Sequence, residues 1–126
     1  MKVDPAQHQL LEAALDDYLD LSYVVYVLRS CTGVQSPAQV REETLRRAAP
    51  LVPGGYMEVG TLPAEGGFAA WDLDPGSALE RTKREWLELG RDPNLWEICW
   101  FSLTAAGDEL AREVLGADAS ADSSEK

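Results

Sequence analysis

The chain holds one histidine, His8, and two cysteines, Cys31 and Cys99, the residue types from which a Ser-His-Asp centre, a Cys-His centre or a zinc site is assembled. His8 sits near the start of a first helix, where a base that must be held in place finds little support. The cysteines are far apart, and no CxxC, HxxxH or EF-hand spacing accompanies them, so no metal site is expected. Gly54-Gly55 and Gly66-Gly67 lead into neither GK[ST] nor G-x-G-x-x-G, which removes the two common phosphate cradles. Glu58 and Asp72 could face each other across a hairpin, but a chain with 22 acids produces such pairs by chance. The expectation is a protein that is not an enzyme and needs no cofactor.

Binding chemistry has more material. Eleven Lys and Arg oppose 22 Asp and Glu, a formal net charge of −11 that works against generic attraction to nucleic acid or anionic lipid. Residues 1–52 carry five basic and seven acidic groups, residues 53–126 six and fifteen. That asymmetry marks the second half as a surface able to meet a basic partner by charge complementarity. Four tryptophans, Trp71, Trp86, Trp96 and Trp100, are dense for 126 residues. They are expected mainly to knit a helix to a sheet, with Trp96, just after the Pro93-Asn94 turn, the one expected to contact a partner.

The elements that must position these groups follow from local patterns. Asp4-Pro5 opens a first helix expected to reach about Asp20, with Leu11, Leu15, Tyr18 and Leu19 as its apolar stripe. Tyr23 to Leu28 continues to Gly33 as a second helix. Ser36-Pro37 caps a third, carrying Val40, Thr44, Ala48 and Leu51 and ending before Pro53-Gly54-Gly55. Tyr56 to Leu62 and Phe68 to Trp71 read as the strands of a hairpin. Asp74-Pro75 starts a fourth helix with Leu79, Lys83, Trp86 and Leu89 on its inner face and Gly90 as its stop. Trp96 to Leu103 reads as a strand, and Thr104 caps a fifth helix. Residues 117–126 read as a flexible acidic tail behind a single domain of residues 1–116. The apolar stretch Leu19 to Leu28 is too short for a membrane span, and no signal-type segment is apparent, which suggests a cytoplasmic protein with reduced thiols.

Three helices followed by a hairpin make the winged helix-turn-helix order. Two segments strengthen the likeness. Trp100-Phe101-Ser102-Leu103-Thr104-Ala105-Ala106-Gly107 resembles the strand-to-helix junction of MarR- and PadR-type regulators, and Leu51-Val52-Pro53-Gly54-Gly55-Tyr56-Met57-Glu58 is similar to their passage from recognition helix into wing. The departure is a whole amphipathic helix, residues 75–90, inserted between the wing strands. The resemblance implies an α+β, winged helix-turn-helix-like fold of five helices with a small antiparallel sheet.

It also implies a recognition helix over residues 37–52, with Gln39, Arg41, Arg46 and Arg47 as candidate DNA contacts. Glu42 and Glu43 partly cancel those arginines. Tyr56 through Asp72 holds no Lys or Arg, whereas a wing that tracks phosphates needs cations. The first expectation is therefore a protein-binding module that meets a basic partner through its acidic half, with Glu58, Glu65, Asp72 and Trp96 as contacts. DNA-binding regulation is the alternative, and the first helix is a possible homodimer contact.

Overall fold

A computed structural model describes the backbone of residues 2–124 and the side-chain surroundings of residues 2–116. Its elements run α1 Pro5–Asp16, β1 Leu19–Asp20, α2 Leu21–Thr32, α3 Pro37–Leu51, β2 Met57–Thr61, β3 Ala69–Ala70, α4 Pro75–Leu89, β4 Trp100–Leu103 and α5 Ala105–Ser124. The chain is an α+β protein of five helices and one antiparallel four-stranded sheet, in the order β1-β4-β2-β3.

The helix starts are set by capping. Asp4 accepts from the Gln7 amide at 2.7 Å while the Gln7 side chain accepts from the Asp4 amide at 3.1 Å, a reciprocal capping box. Asp20, Ser36 and Asp74 cap α2, α3 and α4, each side chain supplying an acceptor for a free amide of the first turn. Gly33 and Gly90 close α2 and α4 at φ near +74°, a conformation that glycine alone adopts freely.

The first helix stops at Asp16, four residues short of the expected end. The reason is tertiary. Leu19 and Asp20 must be extended to pair with Phe101 and Trp100, and Asp20 must be extended again to cap α2. The expected strand from Trp96 is likewise cut to Trp100–Leu103, because Trp96 and Ile98 take φ of +73° and +69°, outside any strand geometry. On α4 the fully buried face is Ala78, Thr82 and Trp86, rather than a stripe through Lys83, which is exposed. Small residues at 78 and 82 let the helix approach closely, and Thr82 Oγ1 donates to the Ala78 carbonyl at 2.9 Å, so no polar atom is stranded. Arg81 pairs with Glu85 at i,i+4 on this helix, at 2.6 Å. α5 continues as helix beyond Gly116 to Ser124; residues 125–126 of the expected tail lie outside the described residues.

Strand alternation divides the sheet into two faces. Met57, Val59, Phe101 and Leu19 are buried against the helices, with Leu10, Leu11, Val24, Leu28, Leu51 and Trp86 among the core. The void left in the core is about 20 Å³, room for one water molecule and too small for an organic ligand. On the opposite face, Glu58 and Ala70 are exposed, and Trp100 and Ser102 are half-buried.

Candidate partner-binding surface

The outward face of the sheet is floored by small residues and framed by aromatics. An added Cβ at Gly60 would lie 2.1 Å from the Ala69 carbonyl oxygen, so β3 crosses β2 too closely for any side chain there. Phe68, carried with β3, stacks on Tyr18 with ring centroids 5.5 Å apart. Beside them the Trp96 ring meets the edge of Trp100 at 5.0 Å and 61°. Both separations suit stabilising aromatic pairs.

Trp96 is 64% exposed and Leu95 is 60% exposed, two adjacent large apolar side chains facing water. Burial normally removes such residues, so what holds them out matters. The loop that carries them is tied at several points. Asp20, itself only 3% exposed, accepts from the Trp96 amide through Oδ1 at 3.3 Å and from the Ser22 amide through Oδ2 at 3.0 Å. Its second oxygen also accepts from the Ser22 hydroxyl. One buried carboxylate thus caps α2 and fixes the loop. At the other end, Asp92 accepts from Arg29 of α2 at 2.6 Å. Ser22, Tyr26 and Arg29 share one face of α2, and Tyr26 is 63% exposed.

Inside the loop, Glu97 takes two hydrogen bonds from Arg91, at 2.7 and 2.8 Å, and one from the Asn94 amide at 2.6 Å. The Arg91 guanidinium, with the Asn94 amide, holds the Glu97 carboxyl down at about 2. A carboxyl depressed in the folded state favours the fold above its ordinary pKa, and that contribution disappears as pH falls toward about 2. The near-ultraviolet signal of the Trp96–Trp100 pair is therefore expected to stay constant from neutral pH to about pH 4.5 and to change between there and about pH 2. Glu97→Gln should show the loosened signal at pH 7 already; an identical titration in both proteins would show that the carboxylate does not hold the loop.

The expected contacts divide. Trp96 and Glu58 are on the outward side of the sheet; Glu65, in the hairpin turn, and Asp72, just past β3, are both exposed. No ion pair to Glu58, Glu65 or Asp72 occurs among the described residues. The arginines of α3 are differently placed. Arg47 has 15% of its side chain exposed; its Nε is 2.9 Å from Asp4 and its Nη1 is 2.6 Å from Glu43. The Asp4 contact is one of charge, since that Nε makes no aligned hydrogen bond. Arg46 donates through Nε to the same Glu43 at 2.9 Å, and the two arginines hold the Glu43 carboxyl below its usual range. Arg47 thus staples α3 to the start of α1, a contact that Gln7 reinforces by donating through its side-chain Nε2 to the Arg47 carbonyl at 3.1 Å. Gln39 is exposed, and half-buried Arg41 lines a groove between α3 and α4 with Leu45, Leu79 and Lys83.

Sequence reasoning missed the Asp20 tether and the second aromatic pair. Asp20 followed by Ser22 is a local capping signal, but its bond to Trp96 spans 76 positions and has no local signature. The buried thiol of Cys99 is pushed up to about 12 by desolvation, which leaves it protonated and unreactive. No group of three or more His, Cys, Asp or Glu among the described residues could hold a metal ion. No described helix is long and apolar enough to cross a membrane. The apolar face of α1, with Ala6, Leu10 and Leu11, is buried within the chain. Comparison with protein-family models, with curated proteins and with solved structures gives no match.

Proposed function

We propose that this chain is a non-catalytic protein-binding module of the cytoplasm, built on a winged-helix-like scaffold, that meets a basic partner with the outward face of its sheet. The observation that carries this reading is the tethered loop that holds Leu95 and Trp96 in water. Exposed large apolar residues on a rigid support are what a contact surface requires, since little conformational freedom is lost when a partner docks. The element order supports the scaffold: three helices precede the antiparallel pair β2/β4, and β3 with α4 is inserted between those strands.

Charge supports the kind of partner. Helices α3 and α4 together carry six Lys and Arg against five acids, whereas the rest of the chain carries five against seventeen. The acidic excess therefore lies outside α3 and α4, in the segments that include Glu58, Glu65 and Asp72. DNA recognition would have to use a helix whose Arg46 and Arg47 already serve Glu43 and Asp4.

Two anisotropy titrations test the reading, one with labelled basic 20-residue peptides and one with labelled random duplexes, each at low and moderate salt. Peptide binding weakened at least about tenfold in Leu95→Ser/Trp96→Ser and unchanged in Arg41→Ala/Arg46→Ala is the expected result. Submicromolar duplex binding abolished by the arginine substitutions would replace it with the nucleic-acid reading.

A further inference from the structure

We infer that the group seated at Trp96 is an arginine side chain of that basic partner, its guanidinium laid on the open face of the indole. This rests on the protein-binding reading above and names the chemistry by which the surface selects. Three observations carry it.

The four tryptophans are not equivalent. Trp86 is buried in the core, and Trp100 is half-buried with the Trp96 ring against it. Trp71 already carries a cation: the Arg81 guanidinium carbon stands 3.8 Å above its ring, while a carboxylate of Glu85 accepts from Arg81 Nε at 2.6 Å. Among the described residues, indole, guanidinium and carboxylate thus meet in one complete cluster. At Trp96 the indole is present and largely exposed, and no cation among the described residues lies over it.

The second observation is the carboxylate. Glu58 is opposite Ser102 in the β2/β4 register, one pleat along from Gly60 opposite Trp100, so it shares the outward face with the tryptophan pair. Positions related in that diagonal way are within reach of long side chains. Glu58 is exposed and has no ion-pair partner among the described residues.

The third observation is the complete lack of Lys and Arg from Tyr56 to Asp72, which leaves nothing on this ribbon to repel an incoming cation. Arginine fits the combination better than lysine. Its planar guanidinium stacks on an indole and donates to a carboxylate in the same plane, whereas an ammonium is a strongly hydrated point charge.

The test uses the whole chain and two probes of equal charge, acetylated octa-arginine and acetylated octa-lysine amides. Binding is followed at physiological salt through the indole N–H resonance of Trp96, assigned by its disappearance in Trp96→Ala. Octa-arginine is expected to move that resonance saturably and to bind about five- to tenfold more tightly than octa-lysine. Trp96→Ala should erase the difference, and Glu58→Gln should reduce it. Because Trp96 is largely exposed, its replacement is not expected to unfold the chain, which a circular dichroism spectrum checks. Equal affinities with the Trp96 resonance shifted would overturn arginine selection and leave the contact surface standing. Binding that leaves the resonance unmoved would overturn both. Failure of both peptides to bind would overturn the arginine site and the basic partner together.

Discussion

A Gly107→Ala variant is expected to lose about 3 kcal/mol of folding free energy, and roughly 10 °C in Tm, although alanine is the better helix former by up to about 1 kcal/mol. The added Cβ would lie 1.9 Å from the Tyr56 carbonyl oxygen and 2.8 Å from its carbon, with Leu103 Cδ2 at 3.0 Å. The first two are backbone atoms and cannot swing away. Two hydrogen bonds pin the same place: the Thr104 amide donates to Tyr56 O at 3.1 Å, and Thr104 Oγ1 donates to Gly55 O at 2.6 Å. That hydroxyl also accepts from the Gly107 amide at 3.0 Å, capping α5. The control is Gly116→Ala on the same helix, where nothing lies within 4 Å of the added carbon and a small gain is expected. Urea unfolding of both variants gives opposite signs if the junction is packed as described; two gains would show that it is not.

Trp86→Ala is expected to destabilise by about 3–5 kcal/mol, against a total that is commonly about 5–15 kcal/mol for a domain. The indole is 2% exposed and is the largest fully buried side chain in the molecule. Its helix is the inserted one, which packs on α3 and β2, so its loss opens a cavity where the insertion joins the rest of the fold. Trp96→Ala supplies the contrast: a side chain 64% exposed should change stability by less than about 1 kcal/mol while reducing peptide affinity. Chemical denaturation and peptide titration of the two variants separate a packing tryptophan from a contact tryptophan. Equal destabilisation by both would mean that Trp96 belongs to the core.

The pattern of agreement between sequence and structure has a physical basis. Asp4-Pro5, Ser36-Pro37 and Asp74-Pro75 mark helix starts because capping and proline geometry act within one turn, and Gly33 and Gly90 mark ends for the same local reason. Thr104 is legible as a cap, although Tyr56, the group that Gly107 approaches, is not. The misreadings at β1 and β4 come from partners distant in the chain. Leu19 and Asp20 have helical neighbours yet pair with Phe101 and Trp100. Trp96 to Cys99 has strand composition, but its geometry answers to Asp20 and Arg91. The exposure of Trp96 could be read from its position after a turn; the pairing of Tyr18 with Phe68 could not, since it depends on how the β2/β3 hairpin bends.

The strand order carries a consequence for how the molecule is made. β4 lies between β1 and β2, yet it is the last strand to leave the ribosome, after both of its neighbours and the whole inserted helix. At about 5–20 residues per second, Asp20 waits roughly 4 to 16 s for the strand that completes it. During that interval the nascent chain can form α1 to α3 and close the β2/β3 hairpin, but the seam that β4 will fill stays open. Slower translation across the inserted helix therefore lengthens the time for which that edge is unpaired.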